Sequence, residues 1–132
     1  DTNIVLDILL RRSEWLADAE PIWQANLTGR LVACATASAM TDVFYVSRRL
    51  VGVARTRDAI LVCLDTLTVL PVNQAVLLSA FARNGPDFED DVQIACAEAN
   101  GVDAIITRDF DGYIRSAISV LSPGQLRVHL GV

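Results

Sequence analysis

Four short apolar runs separated by helical stretches restrict the fold of this chain more than any other feature. They are Arg30–Ala35, Thr68–Val72, Ala104–Thr107 and Ile118–Leu121, each of strand length. Helical periodicity covers Ile4–Leu10 and Glu14–Asn26, with a break near Ser13, read as a cap, and another at Pro21. It returns from the Thr36-Ala-Ser38 cap region to about Leu50, over Ala54–Leu67, and over Gln74–Arg83 behind an Asn73 cap. A further helix starts at Phe88 or Glu89 and stops at Asn100-Gly101, and the last strand ends at Ser122-Pro123-Gly124. Strands alternating with helices in this way predict an α/β fold with a central, mostly parallel sheet covered on both faces. In such sheets functional groups gather at the carboxyl ends of the strands.

The acidic residues fall at those places. Asp1 precedes an apolar helix, Asp42 lies one turn into another, Glu89-Asp90-Asp91 open a third, and Asp109 follows the strand ending at Thr107. Each position has an ordinary explanation as well. Asp1 suits a helix N-cap, Asp42 a solvent-facing position, Glu89 to Asp91 the positive end of a helix dipole, and Asp109 or Asp111 a loop that binds its own backbone. Asp90 shares a helix face with Ile94 and Ala97, whereas Asp91 lies with Ala95 and Glu98, so Asp90 is the expected inward carboxylate. Several carboxylates held in one crevice repel one another unless a cation stands between them. Mg²⁺ and Mn²⁺ take such oxygen ligands, activate water and steady phosphate. The expected chemistry is metal-dependent hydrolysis of a phosphodiester.

Other chemistries find little to build on. His129 is the only histidine, which leaves no Ser-His-Asp triad and no His-ligated zinc site. Phosphate-binding glycine loops are missing, and an acidic receiver domain normally uses a lysine that this chain lacks. All 11 basic residues are arginine, whose fork suits phosphate, but a net charge of −5 argues against broad electrostatic capture of nucleic acid. The 132 residues fit one domain, and 52% apolar against 20% charged residues describes a compact core. No apolar run approaches the roughly 20 residues of a membrane span and no signal peptide is legible, so a soluble cytoplasmic protein is expected. Cys34, Cys63 and Cys96 lie in apolar stretches and are expected to be reduced core residues.

Taken in order, the segments Asp1-Thr-Asn-Ile-Val-Leu-Asp7, Ala39-Met-Thr-Asp-Val-Phe-Tyr-Val46, Asp87-Phe-Glu-Asp-Asp-Val-Gln-Ile-Ala95, Ala104-Ile-Ile-Thr-Arg-Asp109 and Ser119-Val-Leu-Ser-Pro123 resemble the PIN domains, in particular the VapC-like ribonuclease toxins of toxin–antitoxin pairs. The resemblance covers nearly the whole chain. It implies a PIN-like three-layer α/β/α fold and Mg²⁺- or Mn²⁺-dependent cleavage of RNA. Asp1, Asp42, Asp90 and Asp109 would be its metal-site acids, supported by Asn3 and Thr107. It also implies a homodimer restrained by an antitoxin that inserts a basic side chain among the acids. Trp15, Trp23, Phe44 and Tyr45 are candidate interface residues, or simply core. Three departures stand out. The second acid is Asp42 where glutamate is common, Gly112 precedes Tyr113 where many members have an aspartate, and the strand leading into the first aspartate is not in the chain. The departures at Asp42 and Gly112 keep open a rival reading, a PIN-like module that binds RNA or protein without cutting.

Overall fold

The computed structural model describes residues 1–132. Helices α1 (Thr2–Leu9) and α2 (Ser13–Leu27) open the chain, followed by strand β1 (Cys34–Thr36), helices α3 (Ala37–Val51) and α4 (Val53–Thr66), and strand β2 (Thr68–Leu70). Helices α5 (Gln74–Arg83) and α6 (Phe88–Ala99) lead to strand β3 (Ala104–Ile106), a 3-10 turn at Asp111–Tyr113, strand β4 (Ser119–Leu121) and helix α7 (Pro123–Leu130). All pairing is parallel: β1 lies beside β2 with Ala35 opposite Val69, and β3 beside β4 with Ile105 opposite Val120. The α/β class with parallel strands is therefore as the sequence implies. The strands form two separate pairs, and both line one largely apolar cleft of about 760 Å³. Asp1 borders this cleft, and its backbone nitrogen donates to the Ile106 carbonyl at 3.1 Å. The chain thus enters α1 alongside the carboxyl end of β3.

Helix α6 is the centre of the packing. Seven consecutive residues, Asp91 to Ala97, are buried, as expected for a helix covered on all sides. Val92, Ala95 and Cys96 pack on Val76 and Ala80 of α5. Ile94 and Ala97 pack on Ile105 of β3 and on Tyr113. Because Asp90 precedes Ile94 by four residues, it lies on the side that faces β3 and the turn after it.

Several expectations need correction. The strands are shorter than the apolar runs, and β1 begins at Cys34 rather than Arg30. Ser13 starts α2 but Arg12 occupies the cap position without a side-chain bond. Ser122-Pro123-Gly124 opens a helix, because Ser122 and Gln125 form a reciprocal capping box and proline suits the first helical turn. Cys34 is exposed, while Cys63 and Cys96 are buried and free as expected. Of the four aromatic candidates, Trp15, Trp23 and Phe44 are half-buried and Tyr45 is exposed.

The helix does not break at Pro21. Proline has no N–H for the Ala17 carbonyl four residues back, so that acceptor loses its helical partner. Arg127 of α7 replaces it, donating from Nη1 to the Ala17 oxygen at 3.1 Å and to Asp18 Oδ1 at 2.8 Å. Arg127→Met is expected to destabilise the fold by about 1 kcal/mol. In a Pro21→Ala background the new N–H takes the Ala17 oxygen, and the loss should shrink. Urea unfolding of the four proteins of this cycle measures both values, and equal losses in the two backgrounds would show that the substitution of donors is not at work.

Candidate active site

Thr107, fully buried just past β3, organises the carboxylates around it. Its hydroxyl donates to Asp1 Oδ2 at 2.8 Å and accepts from the Asp109 backbone N–H at 3.0 Å. One side chain therefore ties the start of α1 to the loop after β3. Asp1 also caps its helix, accepting from Asn3 N at 3.3 Å through Oδ1. Capping and a place at the site are compatible here, because the two oxygens face different partners. Asn3 contributes that backbone N–H and is itself exposed. Asp109 accepts from Asp111 N at 3.2 Å, which shapes the loop, and both aspartates are exposed.

The expectation that Asp90 is the inward carboxylate of the pair needs correction, since Asp90 is only half-buried and Asp91 is buried. Asp91 is the more buried of the two and accepts from Gly85 N at 2.9 Å, fixing the loop ahead of α6. A Cβ at Gly85 would stand only 2.6 Å from Asp91 Oδ1, so glycine is needed there. The Asp90 carboxylate lies against Gly112, in the space that a Cβ at that position would take. A side chain at position 112 would have to displace Asp90.

Electrostatics connects the remaining acids. The Asp90 pKa is raised by burial first and then by Asp87, with Asp109 and Asp91 adding to it. Glu89 is raised by burial and then by Asp42, with smaller repulsion from Asp87 and Asp90, and a hydrogen bond from Thr2 opposes it. Asp42, half-buried on α3, is thus a charged neighbour of Glu89 on α6. The structure brings Asp1, Asp90 and Asp109 to the end of β3 and reaches Asp42 by way of Glu89.

Oxygen donors of this kind suit a hard divalent cation, and the mutual repulsion of Asp90, Asp109, Glu89 and Asp42 is what such a cation relieves. No three of the acids stand in the arrangement of a preformed metal cage. Mg²⁺ does not need one, because it commonly keeps several waters and binds through one or two carboxylates plus phosphate oxygens. The residues fit the ion by chemistry and by charge.

A family model for the PIN domain matches residues 1–111. The chain belongs to the PIN-domain family. PIN domains are generally nucleases and generally use divalent metal ions, so this PIN domain has a nuclease-type fold. No curated protein matches it. No helix of this PIN domain is long and apolar enough to cross a membrane.

Sequence reading passed over several residues that hold the site. Asp7 is fully buried and receives Arg108 through Nε at 2.8 Å and Nη2 at 3.2 Å, with Arg12 at 3.3 Å on Oδ1. The Arg108 guanidinium also stacks over the Trp15 ring at 4.1 Å. Between Thr107 and Asp109, this arginine clamps the loop after β3 onto α1 and α2. A charged residue inside the apolar run Leu6–Asp7–Ile8 was the available signal, because a buried carboxylate requires a partner.

Two outcomes test this account. Arg108→Leu should cost about 3 kcal/mol, at the low end for breaking a buried pair because Arg12 remains on Asp7. Chemical denaturation reads that loss. The pH dependence follows from the raised carboxyls of Asp90 and Glu89. The ion-free folded protein retains protons that the unfolded chain releases, so stability falls as pH rises from the ordinary carboxyl values through the raised ones. In chelator, Asp90→Asn is therefore expected to melt higher than the parent at pH 7. Below about pH 3.5 the parent carboxyls are neutral too and the gain should vanish. A lower Tm for Asp90→Asn at pH 7 would contradict the assigned repulsion.

Proposed function

We propose that this PIN domain is a metal-dependent endoribonuclease, the toxin of a toxin–antitoxin pair, using one or two Mg²⁺ or Mn²⁺ ions. The observation that carries the reading is the Thr107 hydroxyl bonded to both Asp1 and Asp109, with Asp90 close by at the end of β3. Asp1, Asp90 and Asp109 would hold the ion, and Asp42 would complete the acidic surround. When bound, a divalent ion supplies an activated water and a counter-charge for the phosphate. The chain's own contribution is placement. Thr107 keeps Asp1 and Asp109 at a fixed separation, and the Asp7–Arg108 pair keeps the loop carrying Asp109 from drifting. The missing side chain at Gly112 leaves the room that Asp90 occupies. Preorganised carboxylates of this kind need no rearrangement as a phosphate arrives.

An exposed apolar surface supports a protein partner. Tyr45 and Leu50 on α3 and Val53, Leu61 and Leu64 on α4 are all more than half exposed, an apolar face suited to a second copy or to an antitoxin. The substrate is RNA, the compartment cytoplasmic, and an antitoxin's basic side chain would compete with the ion for the carboxylates. The absence of a preformed three-acid cage favours one rival, a PIN-like module that binds RNA or protein without cutting it.

Cleavage separates the two. With Mn²⁺ and single-stranded RNA, the parent is expected to cut and Asp109→Asn to lose essentially all activity while retaining its circular dichroism spectrum. Asp111→Asn should fall by much less, since Asp111 contributes only its backbone N–H to the loop. Undiminished cutting by a folded Asp109→Asn protein refutes the catalytic assignment. RNA binding without cleavage by the parent favours the module.

A further inference from the structure

A chain of buried polar side chains runs through the middle of the molecule and emerges at Glu89. Tyr113, Gln93 and Thr2 are at most 7% exposed and come from three different elements. The Tyr113 hydroxyl donates to Gln93 Oε1 at 2.8 Å. Gln93 Nε2 then donates to Thr2 Oγ1 at 3.2 Å. Having accepted that bond, the Thr2 hydroxyl turns its own proton to Glu89 Oε1 at 3.3 Å. The direction is forced at each step, since a phenol has one proton, an amide has separate donor and acceptor ends, and a carboxylate only accepts. Apolar residues of similar shape would fill this space without any polar group to satisfy. The relay therefore serves its end, and that end is an exposed carboxylate beside Asp90 and Asp42.

We propose that Glu89 is a working member of the acidic site, oriented by the Tyr113–Gln93–Thr2 relay, and that it supplies the reach that the shorter Asp42 lacks. The proposal rests on the metal-dependent reading given above. Aspartate is one methylene shorter than glutamate, so Asp42 brings a charge from α3 to this edge of the site without the extension of a longer acid. Glu89 approaches from the first turn of α6, next in sequence to Asp90, and has that extension. Thr2 is the positioning residue: it follows Asp1 directly, so the same turn of backbone sets one acid and orients another. Gln93, one turn further along α6 than Glu89, relays the constraint from Tyr113 in the turn after β3.

Mn²⁺ binding measured without RNA, from the electron paramagnetic resonance signal of the free ion, tests this. Glu89 is on the surface, so Glu89→Gln should fold. It is expected to weaken Mn²⁺ binding roughly tenfold or more, and Thr2→Val to weaken it by a smaller factor, as outer-shell changes do. Thr2→Ser keeps the hydroxyl and should bind like the parent. In the Glu89→Gln background Thr2→Val should add nothing, because Thr2 acts through Glu89. Independent, multiplying losses overturn the relay. Unchanged binding by Glu89→Gln alongside a clear loss in Asp90→Asn overturns the role of Glu89 and leaves the metal-dependent reading intact. A parent that takes up no Mn²⁺ removes both.

Discussion

A buried carboxylate cannot be left alone, and the way Asp7 is accommodated sets the arrangement of the acidic end of this molecule. Isolated in an apolar interior, its charge would be prohibitively expensive. Arg108 reaches it with two nitrogens and Arg12 with one, and Trp15 covers the guanidinium of Arg108. This interaction joins α1, α2 and the loop after β3. The residues on either side of Arg108 are Thr107 and Asp109, so the pair that satisfies Asp7 also fixes the loop on which the site is built.

The site shows the opposite economy. Around Asp90 and Glu89 like charges are brought together with no arginine between them, and their pKa values are raised by burial first and then by that repulsion. Two acidic regions far apart in sequence are therefore treated differently. One is neutralised internally and structural, and the other is left unsatisfied and faces outward. Perturbed carboxylates that the protein itself does not neutralise cluster at functional sites.

Sequence patterns of a local kind were legible. Asn73 caps α5, Thr36 caps α3, and the run Ala104–Ile106 is a strand because cap chemistry and apolar runs act within a few residues. The separation of Asp90 from Asp91 was readable from helix periodicity, although Asp91 proved the more buried. What could not be read depends on distant partners. Pro21 remains inside α2 because of an arginine over one hundred positions later, and Thr2 matters because Gln93 and Glu89 meet it. The α7 helix was missed for a different reason: Ser122-Pro123-Gly124 has the composition of a turn, and only the answering Gln125 turns it into a cap.

The Ala17 carbonyl depends on a side chain 110 positions away, and this has a meaning for how the chain folds. A contact between such distant positions closes a long loop and carries the entropy cost of doing so. Until it forms, the acceptor that Pro21 leaves free in α2 has only water to turn to.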